Sequence, residues 1–416
     1  MNNDIYRNSR FFYILEAAFE YFISILVGGA YLAKLTSYIG LSDSLTGVLT
    51  SFVSLGCGFQ IIAVFLANRQ PVKKWVTALH ILNQLFFALI YLLPFFGISK
   101  NVTVALFCVF LLAGHVISNV VHSPKINWFM SLVDDHKRGD FTATKEIVSL
   151  IGGIIFTFII GQVIDRFEAA GEIGTSLIFC GVGIFVLMLL HTVTLICSLE
   201  KPAVKKNAKI RELLNDKGLY KVILITVLWN IANYATTPFY GTYQTKELGF
   251  SMTFVSVLAA LYAICRSLVS KPLGRYADRT SFVQMMNICF GIQVLSFAVN
   301  VFTVPANGKI FYTVYYILHA AAMAGINSGA INLIYDYVDH EHRVGALALQ
   351  STLSGFTGFF TTLITSRLVD AIQKNGTFLG MQVYAQQVVS AIGVIVVIVI
   401  LVYLNTAFRG MKSKKE

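Results

Sequence analysis

The chain has 416 residues, of which 56% are hydrophobic and only 13% charged, and its mean hydropathy is +0.70; a soluble domain carries about a quarter charged residues, so the composition is that of a polytopic membrane protein. A net charge of +11 would in a soluble chain point to nucleic acid or an anionic surface, but here the basic residues sit in short loops between apolar runs, which excludes nucleic-acid binding. Six cysteines, all within or at the ends of apolar runs and without a CxxC, read as small core hydrophobes rather than a disulfide frame or a metal site.

A helix needs roughly 20 apolar residues to cross the hydrocarbon, and twelve stretches qualify. They lie at about 11–35, 44–67, 75–97, 101–123, 144–166, 174–199, 221–244, 250–273, 282–304, 309–333, 344–371 and 380–408. The first carries Glu16 and Glu20 and lacks a small-residue cleavage site, so it reads as span one rather than a removed signal peptide. The connecting loops leave no room for a soluble domain, and no pore loop points to a channel. The longest polar stretch, 200–221, is strongly basic and divides the chain into 1–199, a cytoplasmic linker 200–221, and 222–416.

Orientation follows from lysine and arginine, which concentrate on the cytoplasmic side. With both termini cytoplasmic, that side receives Arg7, Arg10, Arg69, Lys73 and Lys74, then Lys125, Lys137, Arg138 and Lys145, the strap, and Arg275, Arg279, Arg343 and the basic C-terminus. The sequence therefore predicts a multi-pass protein of the inner, cytoplasmic membrane. The triplets at Asn101 and Asn375 fall on the outer face, where such tiny loops in a bacterial-type protein argue against glycosylation.

An internal repeat relates the two parts. Val133-Asp-Asp-His-Lys-Arg138 after span four is echoed by Val338-Asp-His-Glu-His-Arg343 after span ten, and Asp165 and Asp370 keep the same offset near the ends of spans five and eleven. With six spans in each half the repeats run parallel.

Twelve spans, a basic central loop and parallel six-span halves resemble the major facilitator superfamily of secondary transporters. The family's cytoplasmic signature between spans eight and nine is recognisable as Gly274-Arg-Tyr-Ala-Asp278-Arg279; in the copy around Arg69, Asn68 stands at the aspartate and Val64 at the first glycine. The resemblance implies an all-α fold of two pseudo-symmetric six-helix bundles. It also implies a cytoplasmic gate, for which Arg69, Gly274, Asp278 and Arg279, with Arg138 and Arg343 of the repeated loops, are the candidates. Span five has Gly152, Gly153 and Gly161 without an adjacent proline, a departure from the glycine-proline mark of the superfamily's drug antiporters.

In that family spans one, four, seven and ten line the central cavity. Span four carries His115, Ser118, Asn119 and His122 at helical spacing. Span seven carries Asn230, Asn233, Tyr234 and Thr237, with Pro238 expected to kink it. Span ten offers Tyr315, Tyr316, His319 and Asn327, and span eight the intramembrane Arg266. Such residues also serve as interhelical hydrogen-bonding groups; three stripes on three expected spans favour a polar cavity. Aromatic rings beside amides suit a sugar-like solute and equally suit flat drugs.

Glu16 and Glu20 stand out, because an acidic group in a span costs on the order of 3 kcal/mol on insertion scales and is a functional candidate by default. At i and i+4 they share a face, and two carboxylates that close disfavour double ionisation, so a shared proton is the expected consequence. Proton coupling and a counter-ion for a cationic substrate are both open, as is pairing of Glu16 with Arg10. No HExxH, glycine-rich phosphate loop or GxSxG occurs, and His115 and His122 are too far apart for an i, i+4 metal pair. The reading is a non-enzymatic, monomeric, proton-coupled transporter of a small polar organic solute, with no cofactor and no metal. An efflux antiporter for amphipathic or cationic compounds is the alternative, and a non-transporting receptor that kept the fold is a further one.

Overall fold

The computed structural model describes residues 5–66, 71–134, 138–201, 217–338, 343–378 and 380–409. Ten helices among them are long and apolar enough to cross a membrane, and a bent pair makes eleven. The remaining long helix, Arg343–Asn375, has 33 residues and enough length to cross, but its serines and threonines make it less apolar. Together these account for the twelve predicted spans.

Span six, Ile173–Cys197, shows how sequence and environment combine. Leu177, Ile184, Met188, His191 and Leu195 are buried, while Val182, Val186, Leu189, Val193 and Ile196 are exposed. Both sets recur every three to four residues, so they form two faces of one helix. In water the second face would be an aggregation site; in a bilayer it is the lipid-facing surface.

Several elements differ from the sequence expectation. Span one is not a continuous helix over 11–35 but Arg7–Leu26 followed by Gly29–Ile39, bent by 44°. Gly28 is extended and Gly29 has φ +52°, a left-handed conformation that glycine adopts without a Cβ penalty. Span two begins as Asp43–Thr50 and continues, after breaks, as Phe52–Gly58 and Ile61–Leu66. Span four does not end at 123: its helix is Lys100–Met130 and passes through Pro124. Lys125, expected in a cytoplasmic loop, therefore lies inside the helix and is buried. Span seven leaves α geometry at Pro238, as expected, through a 3-10 turn at Thr237–Phe239 and a π-helical turn at Tyr243–Glu247.

The chain divides into two compact units, one of residues 1–41, 55–206 and 251–256, the other of 42–54, 207–250 and 257–416. In the first, Tyr13, Val72, Val76, Val121, Trp128, Phe129, Leu132 and Leu195 form a buried cluster, within which the Tyr13 and Phe129 rings stack at 4.3 Å. Its helix ends are tied reciprocally. Glu200 accepts from the Val72 and Lys73 amides at the start of Val72–Leu92, while the Lys73 ammonium donates to the Ile196 and Ser198 carbonyls at the end of span six. Each charge sits at the helix terminus whose dipole favours it. In the second unit, Phe239, Val369, Ile372, Ala385, Val388 and Val389 form a core cluster, and two-residue strands at Thr377–Phe378 and Met381–Gln382 pair antiparallel between spans eleven and twelve. The six cysteines are free thiols. Residues 202–216 of the basic linker lie outside the described residues.

Candidate functional site

The first unit holds a buried ionic cluster built from four helices. Glu16 of span one is completely buried. The Lys125 ammonium donates to Glu16 Oε1 and to Glu20 Oε2. His191 of span six lies with Nε2 3.0 Å from Glu16 Oε1 and donates when that nitrogen carries the proton. The His80 ring of span three, Val72–Leu92, sits 5.1 Å from the His191 ring. Both imidazoles are fully buried.

The local sequence explains this convergence. Tyr13, Glu16 and Glu20 recur at helical spacing on one face of span one, and His122 and Lys125 extend the polar face of span four by one turn. Pro124 gives no N–H to the carbonyl four residues back, a loss that neighbouring helices make tolerable in membranes. Here Trp128 and Phe129, packed in the aromatic cluster, hold the last turn, with the Trp128 indole donating to the Leu199 carbonyl at 2.8 Å. The stacked Tyr13 and Phe129 lie one turn from Glu16 and Lys125 along their own helices and supply an apolar flank.

Charge and access are graded across the cluster. Glu16 and Lys125 side chains are 0% and 3% exposed and Glu20 28% exposed, and His122 is exposed. Two carboxylates face one ammonium, so with neutral imidazoles the cluster carries one negative charge in excess. Among the described residues, Glu16 Oε2, His191 Nδ1 and both His80 ring nitrogens are buried without a hydrogen-bond partner. Unpaired buried polar atoms are costly, and an excess charge with spare hydrogen-bonding capacity is able to take up a proton or a cation.

The sequence picked out Glu16 and Glu20 and the structure brings them together, but it places Lys125 between them, where a directly shared proton had been expected. Arg10, the alternative partner for Glu16, instead donates to the Leu132 carbonyl. Sequence reasoning missed Lys125, which it counted among the cytoplasmic basic residues beyond the end of span four at 123, and it missed His80 and His191. A histidine within an apolar span deserved the same suspicion as a glutamate.

The other candidates divide. On span four, His115 packs against Phe87 with ring centroids 5.1 Å apart. Asn119 donates to the His115 carbonyl and accepts from Cys57; His122 is exposed one turn before Lys125. On span seven, Asn230 donates to the Thr226 carbonyl and Thr237 to the Asn233 carbonyl. The Tyr234 ring packs on Gly358, where an added Cβ would stand 2.6 Å from it.

Span ten, Gly308–Tyr337, contributes a second cluster, within the second unit. Tyr315 stacks on His319 at 5.3 Å, and Tyr262, Tyr312 and Tyr316 pack edge-on or tilted around them. Gln244 donates to the Tyr316 hydroxyl at 3.0 Å, and His319 Nδ1 lies 3.0 Å from Gln293 Oε1. Asn327 is half-buried two turns on. Arg266, half-buried on span eight, makes no ion pair among the described residues, although its charge is felt at His319.

Of the gate candidates, Arg69 lies outside the described residues, as does the side chain of Arg138. Arg343 donates to the Tyr335 and Val338 carbonyls at the end of span ten. Gly274 is half-buried, whereas Asp278 and Arg279 are exposed at the end of span eight. The repeat-related aspartates differ: Asp165 accepts from the Met252 and Thr253 amides, and Asp370 pairs with Lys374 one turn away.

Solved structures share this fold. The nucleoside transporter NupG superposes with a TM-score of 0.70 at 16% identity, over 99% of this chain and 100% of that chain. The D-xylose-proton symporter gives 0.71 at 14% identity, over 94% and 96%. An auto-inhibited POT family peptide transporter gives 0.71 at 11%, over 98% of each. At such identities the likeness is one of fold. Among curated proteins none matches in sequence. The sequence profile described as Major Facilitator Superfamily matches residues 11–362 and 222–415, and with twelve helical spans on the page the chain belongs to the major facilitator superfamily of membrane transporters.

Proposed function

We propose that the protein is a proton-coupled secondary transporter of a small polar organic solute in the cytoplasmic membrane, with both termini cytoplasmic. We read it as two six-span halves, 1–199 and 222–416, working as a monomer by alternating access around the linker 200–221. The observation that carries this reading is the Lys125 ammonium held between buried Glu16 and half-exposed Glu20.

Glu20, beside exposed His122, is the carboxylate a proton reaches first. Protonation of Glu20 removes one of the two negative partners of Lys125 and leaves Glu16 as its anchor. The ammonium then has hydrogen-bonding capacity for a solute oxygen. Loss of the proton restores the bridge and displaces that oxygen, so that proton and solute occupancy are linked as coupling requires. The Tyr316, Gln244, His319 and Gln293 cluster offers rings and amides of the kind that bind hydroxylated solutes. Solved structures sharing the fold include a nucleoside transporter and a D-xylose-proton symporter, which supports a small solute without identifying it.

The test is reconstitution into vesicles with Glu20→Gln. Accumulation driven by a pH gradient is lost while downhill exchange of the same solute continues; concentrative uptake that survives intact overturns the proton role. A second reading, efflux of amphipathic cations, is favoured by the excess negative charge of the cluster. It expects the expressed protein to lower cellular sensitivity to such compounds.

A further inference from the structure

A cavity of about 570 Å³ opens in the second unit where span seven finishes and span twelve begins. Its walls include Val304, Ile372, Val383 and Tyr384, with Glu247 and Gln373 among its polar groups. Its volume falls in the range of small-molecule sites, which combine apolar walls with a few placed polar groups. None of these residues belongs to the Glu16–Lys125 cluster or to the tyrosine and histidine cluster of span ten.

Among the described residues Glu247 is the one carboxylate on its wall, and the Gln373 amide and the Lys246 charge compensate it only in part. Its Oε2 is buried with no hydrogen-bond partner. The neighbouring Lys246 ammonium is engaged by Asp43, and the Gln373 amide donates to the other Asp43 oxygen at 2.8 Å. Asp43 is itself close enough for its charge to act on Glu247. Two carboxylates thus lie near one ammonium, which pairs with Asp43, while the second, Glu247, lines the cavity. Gln387 supplies nothing to balance it, since its amide accepts from the Tyr384 N–H and donates to the Val301 carbonyl.

We propose that this cavity binds a small organic cation, a protonated primary amine whose ammonium meets Glu247 and whose apolar body rests on Ile372, Val383 and Tyr384. A bare metal ion fits less well, because a single carboxylate carries too little charge for a hard cation and the Gln387 carbonyl is already engaged by the Tyr384 N–H. Aromatic and carboxylate groups together suit an ammonium on an apolar stem, through ion pairing and the ring face of Tyr384. The site stands apart from the proton-coupling reading, since ligand binding here needs no flux.

The experiment uses the full chain in detergent, with phenethylammonium as probe and 2-phenylethanol as its uncharged counterpart. The expected result is a saturable rise in melting temperature with phenethylammonium and none with the alcohol. Glu247→Gln weakens the apparent affinity by about tenfold or more. Val383→Trp, which fills the cavity and leaves the carboxylate in place, abolishes the shift and decides the matter should Glu247→Gln fail to fold. Equal shifts in wild type and both variants, an equal shift with the alcohol, or no saturable shift at millimolar probe overturns the proposal.

Discussion

Lys125 is the residue on which the first unit's interior depends. Glu16 is completely buried, so removing the ammonium leaves an uncompensated buried charge, and breaking such a pair costs about 3–5 kcal/mol. Lys125→Met is therefore expected to lower the melting temperature sharply, whereas Lys125→Met combined with Glu16→Gln recovers most of the loss because the remaining carboxylate, Glu20, is partly exposed. A thermal melt of the single and double variants in the same detergent checks this; a double variant no more stable than the single one would mean that packing, not charge, dominates. His191 is held by Glu16 and in turn faces His80, so the cluster is one coupled network in which single substitutions do not add.

The helices pack through small residues and caps rather than through hydrophobic contrast, since lipid tails are as apolar as leucine. Gly56 of span two lies against the backbone of span four, where an added Cβ would stand 2.7 Å from the His115 carbonyl oxygen. Backbone cannot yield as a side chain does. Gly56→Leu is expected to destabilise by more than the 1–3 kcal/mol typical of overpacking, and a near-wild-type melt would refute that close approach. Asp165 caps the helix Met252–Arg279 from span five through two amide hydrogen bonds of 2.7 and 2.8 Å. Its loss in Asp165→Ala costs about 1 kcal/mol by the usual value of such caps, read as a smaller drop in the same assay. Asp370, paired with exposed Lys374, has no comparable role, and Asp370→Ala serves as the near-silent comparison.

For the molecule as a whole, the distribution of basic residues predicts which loops face the cytoplasm. A membrane-impermeant maleimide applied to intact cells is expected to label Lys374→Cys, between spans eleven and twelve, and to reach Lys201→Cys only after permeabilisation, in a background lacking the native cysteines. The reverse pattern would invert the orientation and with it the direction in which Glu20 meets a proton gradient. The split of the chain into two compact units, with 42–54 and 251–256 grouped apart from the rest of their sequence halves, has no signature in hydropathy, which reports the length of a span and not its neighbours.

Composition and span length determined the class and the twelve spans, because a bilayer imposes a local rule that each crossing segment must satisfy alone; the family came from a resemblance, carried by the parallel halves and the Gly274–Arg279 motif. The same rule flagged Glu16 and Glu20, since a carboxylate in a span is anomalous wherever its partner lies. Tertiary structure alone decided what those carboxylates touch. It carried the span-four helix through Pro124, delivered Lys125 to both of them, and brought His191 and His80 from separate spans to the same point. It also set His115 against Phe87, Asn119 beside Cys57 and Tyr234 on Gly358. A polar residue at helical spacing has the same sequence pattern whether it faces a cavity or a neighbouring helix, and only the packed helices distinguish the two.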